Sequence, residues 1–197
     1  MKVIGIVGGV ASGKSVVSRE LQRLGAVALN VDGFGHDVLR QPEIVSLVVQ
    51  RWGKEVLDTD GQVIRKKIAA IVFADDGAKE LAYLESITHP RISARIAQEI
   101  ENSRQTDCPA LIVDAAVMLK AGWDRHCDVI LFVNCPKETR WERAKNRGWT
   151  REQFESRELS QTAIDRKRAT ANIVIDNSGS LDQTYEQVLD FWHSFSP

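Results

Sequence analysis

Eight residues near the start of the chain, Gly8-Gly9-Val10-Ala11-Ser12-Gly13-Lys14-Ser15, fit the pattern G-x-x-x-x-G-K-[ST]. Such a loop works only between a buried strand and a helix. Lys2-Val3-Ile4-Gly5-Ile6-Val7 reads as that strand. Ser15 to Leu24 reads as the helix, with Val17, Leu21 and Leu24 on one face and Gly25 as its stop. The glycines let successive backbone N–H groups turn inward, and the first helical turn adds further free donors. Together they form a cradle for phosphate oxygens. Gly9, Val10, Ala11, Ser12, Gly13, Lys14 and Ser15 are therefore expected to bind the phosphates of a nucleotide such as ATP. Lys14 reaches the β- and γ-phosphates, and the Ser15 hydroxyl holds Mg²⁺. The loop alone does not say where the phosphoryl group goes.

The remaining pattern alternates strands with helices. Ala26-Val27-Ala28-Leu29-Asn30 is predicted as a second strand ending at Val31-Asp32. Ala110 to Asp114, Val129 to Val133 and Ile173 to Ile175 are three more. Five strands separated by helices predict an α/β fold, a P-loop nucleoside-triphosphate-binding fold with a five-stranded parallel sheet covered on both sides. Residues 1–32, 105–136 and 169–197 form its expected core. Residues 33–104 read as a helical insertion for substrate, with helices from Pro42, over Ile64 to Phe73, over Ala78 to Ile87 and over Pro90 to Ile100. Asp58-Thr59-Asp60-Gly61 reads as a turn. Residues 137–168 read as a lid with a flanking helix, and Leu181 to Phe195 as a terminal helix with Tyr185, Val188, Leu189 and Trp192 on one face.

A length of 197 residues is enough for one such domain with small insertions. The net charge of -1 gives no bulk reason to expect nucleic acid as a partner. Cys108, Cys127 and Cys135 lack C-x-x-C spacing, and His36, His126 and His193 lack ligand spacing, so neither zinc nor a disulfide framework is expected. No apolar run approaches membrane-spanning length, and the first strand starts without a signal peptide, so a cytoplasmic enzyme is expected, as a monomer or small homo-oligomer. The five tryptophans, Trp52, Trp123, Trp141, Trp149 and Trp192, read as core or domain-contact aromatics.

Ligands of such sheets gather at the carboxyl ends of the strands. Asp32 and Asp114 lie there. One carboxylate can orient or deprotonate an acceptor hydroxyl and another can bind Mg²⁺; alternatively, each caps the next element. Arg140, Arg143, Lys145, Arg147 and Arg151 crowd one short stretch. Arg143 and Arg147 are four apart and are predicted to share a helical face. A mobile guanidinium there can stabilise charge on a transferring phosphoryl group; the bland alternative is a solvated helix balanced by Glu138, Glu142 and Glu152. Arg157, Lys167 and Arg168 extend the positive surface, and Lys145 and Arg151 belong to the solvent side. His89, before Pro90, either caps a helix or touches substrate phosphate. Asn177 either approaches the nucleotide base or makes an Asx-turn with Gly179.

Read in order, these elements resemble the dephospho-coenzyme A kinase family almost end to end. The doubled-glycine loop, Asn30-Val31-Asp32 against D-x-D, His89-Pro90 against H-P, Glu138 to Arg147 against E-x-Q-x-x-R-x-x-x-R, Arg157 to Gln161 against R-x-x-x-Q, and Ala171 to Asn177 against A-D-x-V-I-D-N all follow its spacing. The resemblance implies ATP and Mg²⁺, dephospho-coenzyme A as the small-molecule substrate, and transfer to its ribose 3′-hydroxyl. It implies Asp32 as general base, Lys14 and Arg143 on the transferring group, and His36, His89, Asp114, Arg147 and Arg157 on the substrate side. The chain departs from the family at Asn30 and Asn172 for aspartate, Arg140 for glutamine, His36 for arginine, Gly148 for an acidic residue and Lys120 for glutamate. A kinase for another small acceptor, or a weakly active nucleotide-binding paralogue, shares the loop and the strand-end carboxylate. A regulatory GTPase needs an N-K-x-D element that is absent from the sequence.

Overall fold

The computed structural model describes residues 1–74 and 76–195. The expected insertion 33–104 and core segment 169–197 each include positions outside those described residues. Along the chain run β1 (Lys2–Gly8), α1 (Lys14–Arg23), β2 (Val27–Leu29), α2 (Val31–Val38), α3 (Pro42–Trp52), α4 (Arg65–Val72), α5 (Ala78–Arg104), β3 (Ala110–Asp114), β4 (Val129–Asn134), α6 (Lys137–Lys145), α7 (Arg151–Leu159), α8 (Ile164–Thr170), β5 (Ile173–Asp176) and α9 (Leu181–Phe195). They gather into two compact units. One comprises Met1–Leu29 with the chain from Glu99 onward, and the other Asn30–Gln98.

In the first unit the five strands form one parallel sheet in the order β2-β3-β1-β4-β5. β1 is central, which suits its run of Val and Ile buried on both faces. Ile4 and Ile6 of β1, Ile112 of β3 and Leu131 of β4 are fully buried and pack with Val17 and Leu21 of α1 and with Val188, Phe191 and Trp192 of α9. Each such side chain removed from water contributes about 1.5–3 kcal/mol. On α9 the buried face differs from the expected one: Thr184 and Phe191 are buried, and Leu189 is exposed. The helix is set one position round because its inward stripe follows 184, 188, 191 and 192. α1 closes as its sequence predicts. Gly25, at φ 110°, lets its own N–H reach Gln22 O and the Ala26 N–H reach Leu21 O, which satisfies the last carbonyls.

β2 is shorter than predicted. It stops at Leu29, and Asn30 caps α2 by accepting the Gly33 N–H at 3.0 Å. The carboxamide does this without a charge, which gives Asn30 a structural role where the resembling family has aspartate.

The second unit is mainly helical. Pro42 opens α3 at its first turn and Gly53, at φ 82°, ends it. Asp58 accepts the Asp60 and Gln62 N–H groups across the predicted turn, and Leu57 bridges Val63 in antiparallel fashion. Glu80 ties this unit together, receiving Arg51 at 2.6 Å and the Trp52 indole at 2.7 Å.

Two predicted helices, over 78–87 and 90–100, are one helix, α5, with Pro90 inside it. Pro90 removes the donor for the Ser86 carbonyl. Side chains supplement the disturbed ladder: Thr88 Oγ1 donates to Leu84 O and Arg91 NH1 to Ile87 O. His89 therefore lies within a helix and does not precede one. Among the described residues no helix is long and apolar enough to cross a membrane.

A satellite core holds the later helices to the start of the chain. Phe154 of α7 is fully buried and packs with Val10, Ala11, Ala144, Trp141 and Trp149. Phe154→Ala is expected to cost about 3–5 kcal/mol. Urea unfolding measures it, and a loss below 1 kcal/mol would contradict this packing.

Candidate active site

The loop between β1 and α1 has the geometry that its sequence requires. Gly13 lies at φ 100°, and a Cβ there would overlap the Asn177 amide. Ala11 adopts φ 58°, a left-handed conformation that costs a non-glycine residue roughly 1–2 kcal/mol. The strain sits where the loop must turn its amides inward. Ser12 N donates to Gly9 O and Val16 N to Gly13 O. The N–H groups of Ala11, Gly13, Lys14 and Ser15 have no acceptor among the described residues. The Ser12 hydroxyl is buried and likewise unpartnered. A ring of free donors around a buried hydroxyl fits an anion with several oxygens.

Positive charge surrounds the loop. Burial lowers the pKa of Lys14, and Arg140 and Arg147 push it the same way; Asp114 and Glu158 oppose them. Lys167 was expected on the surface. It is instead buried on α8, where its ammonium donates to Gly8 O at 3.0 Å and Gln161 Oε1 at 2.6 Å. Burial, then the nearby Lys14 charge, brings its pKa down to about 8. Two close lysines in a half-dry site favour a bound polyanion, which relieves their repulsion.

Arg143 differs from the mobile group expected. Its guanidinium donates to Ser12 O at 3.2 Å and Asn177 O at 2.9 Å, and touches Cys135 Sγ at 3.4 Å. Asn177 makes no Asx-turn with Gly179: its amide nitrogen donates to Ser12 O at 2.7 Å, and its oxygen accepts from Thr184 at 2.9 Å. Asp176 makes the local turn, accepting the Ser178 N–H. Arg147 does not share a helical face with Arg143, because α6 ends at Lys145 and Arg147 occupies the following turn. It is exposed yet within electrostatic reach of Lys14. Arg157, on α7, stands over the Trp149 ring at 4.3 Å. Asp114 ends β3 as predicted.

Ser15 is the second residue of α1 and its side chain is exposed. Among the described residues no three His, Cys, Asp or Glu side chains form a metal-binding group.

Asp32, His36 and His89 belong to the other unit. Asp32 is the second residue of α2, where its charge favours the helix start. It is thus helical and does not sit on a strand tip, because β2 ends early. Its carboxylate is exposed, and His36 lies four residues on, one helical turn away. Asn172, another departure, accepts the Ile130 N–H at 2.8 Å and pins β5 to β4.

Sequence reasoning missed Glu158. Its carboxylate accepts the Val10 N–H at 2.7 Å and pairs with Arg140 at 2.6 Å. Nothing in a spacing of eighteen residues across two helices advertises this pair. Only the unusual Arg140 hinted that a counter-charge was needed.

A family model described as Dephospho-CoA kinase matches residues 2–183. A dephospho-CoA kinase from Symbiobacterium thermophilum is 36% identical over 196 residues, covering 98% of this chain and 81% of the relative. One from Aquifex aeolicus is 37% identical over 189 residues, covering 95% and 94%. Among solved structures, TT1252 from Thermus thermophilus superposes with a TM-score of 0.80 at 27% identity, covering 100% of this chain and 98% of that one.

Proposed function

The chain belongs to the dephospho-CoA kinase family, and on that premise we propose how its residues perform the family's reaction. The enzyme phosphorylates the ribose 3′-hydroxyl of dephospho-CoA with ATP, giving CoA and ADP. One observation carries the mechanism: a loop of free backbone donors, closed by Lys14, at the carboxyl end of the central strand.

Gly9 to Ser15 bind the donor's phosphates. Lys14 lies against the β- and γ-phosphates, and its charge offsets the negative charge that gathers as the terminal bond lengthens. Arg143, held against the Ser12 and Asn177 carbonyls, adds positive charge from behind the loop and keeps both carbonyls turned away from the phosphates. The Ser15 hydroxyl would hold Mg²⁺, which would supply positive charge against the phosphates. Asp32 accepts the proton of the 3′-hydroxyl as that oxygen attacks the γ-phosphorus. His36, His89, Asp114, Arg147 and Arg157 bind the acceptor, the two arginines serving its phosphate groups. Asn177 supports the loop through Ser12, and the assembly works as a monomer or small homo-oligomer. Residues 33–104 carry the acceptor side, and 137–168 form the lid over the donor.

An acceptor panel with γ-labelled ATP tests this reading. Label is expected in dephospho-CoA and not in nucleoside monophosphates or shikimate. Transfer to a nucleoside monophosphate with none to dephospho-CoA would overturn it.

A further inference from the structure

A phosphate loop binds anions only if its N–H groups point in and its carbonyls point out. In this chain two side chains from different helices grip the same loop residue from both sides. Arg140, on α6, donates through NH1 to the Val10 carbonyl at 3.3 Å and through Nε to the Cys135 carbonyl at 3.1 Å. Glu158, on α7, accepts the Val10 N–H at 2.7 Å through one oxygen and meets Arg140 at 2.6 Å through the other. The Arg140 side chain is 4% exposed and that of Glu158 22%. A Cβ on Gly9 would come within 2.5 Å of the guanidinium, so the arginine lies flush against the loop backbone.

We propose that Arg140 and Glu158 are a positioning pair that fixes the orientation of Val10 and thereby makes the loop's affinity for phosphate depend on the lid helix α7. The proposal rests on reading Gly8–Ser15 as the phosphate site. Val10 is the second residue after β1 ends, ahead of the free amides, so its setting decides where the next amides aim. The pair binds its carbonyl outward, and Arg143 and Asn177 do the same for Ser12. The N–H groups between and after these anchors are the ones left for phosphate. A neutral glutamine at 140, the residue usual in the resembling family, forms no ion pair, so in this chain the charge at 158 and the charge at 140 depend on each other. Removing one leaves the other buried without its counter-charge.

The test is nucleotide binding by calorimetry to the parent, R140Q, R140K, E158Q and the double variant R140Q/E158Q, with folding checked by circular dichroism. ADP and adenosine are the probes, because only ADP carries phosphates for the loop. R140Q should weaken ADP by about tenfold or more, the range of one charged hydrogen bond, and leave adenosine unchanged. R140K keeps the charge but lacks the fork that reaches both carbonyls, and should weaken ADP by about fivefold. The double variant should recover most of the loss, since neither charge is stranded. A pair that serves stability alone would lower the melting temperature and move ADP and adenosine together or not at all. ADP binding within twofold of the parent in folded R140Q and R140K would overturn the proposal. If R140Q does not fold, R140K and E158Q decide it on the same criterion. A parent that binds ADP no better than adenosine would instead overturn the phosphate-site reading itself.

Discussion

Lys14→Ala is expected to lower phosphoryl transfer by about 10³-fold while the protein stays folded. In the proposed mechanism the charge it removes is the one that faces the donor's terminal bond. In the free protein that charge works against the surroundings, since burial is the first cause of its lowered pKa and Arg140 and Arg147 add to it. The fold therefore gains little from the ammonium, and α1 begins at this position on backbone bonds to Gly13 that need no side chain. Bound phosphates reverse the balance and hold the ammonium in its charged form. Steady-state transfer with labelled ATP, run beside a thermal melt, separates the two effects. Turnover within tenfold of the parent in a folded variant would remove Lys14 from the mechanism.

Asp32→Asn should cost about 10²–10⁴ in kcat, the usual contribution of a positioned base. The substitution keeps the shape and removes the ability to take a proton. It should leave the helix standing, because Asn30 caps α2 and the Asp32 side chain is exposed. ATP affinity should not change. A kcat within threefold of the parent would exclude Asp32 as the base and direct attention to Asp114.

The sheet and the phosphate loop were legible in the sequence because local signals and burial agree there. β1, β3 and β4 are short apolar runs bounded by turn residues, and Gly25 stops α1 where a left-handed residue is needed. α5 was not legible as one helix. Pro90 is a strong local break signal, and the side-chain bonds from Thr88 and Arg91 that offset it have no signature in the sequence. The early end of β2 was hidden for the opposite reason: Val31 suits a strand, and only the Asn30 cap makes it helical. In the site, the loop's geometry follows its own local pattern: the left-handed Gly13 and the helix that starts at Lys14 lie where that pattern puts them. Positions that act from far along the chain were misjudged. Lys167 reads as surface charge, Asn177 as a residue near the nucleotide base or in a turn with Gly179, and Glu158 carries no signal of its own. Each is defined by a backbone group more than 140 residues away in sequence, as with Gly8 for Lys167 and Val10 for Glu158, 159 and 148 residues distant.

The same long reach bears on how the polypeptide acquires its shape during synthesis. β1 emerges from the ribosome well before its partners, which lie far downstream, and the Val3 amide waits for Asp128, 125 positions later. Residues 30–98 form a separate, mainly helical unit whose chain is complete well before then. Pairings of such separation form slowly, and an unpaired apolar strand is a hazard while it waits. A released fragment ending at residue 104 should thus carry an ordered helical unit beside an amino-terminal segment that still needs shielding from aggregation.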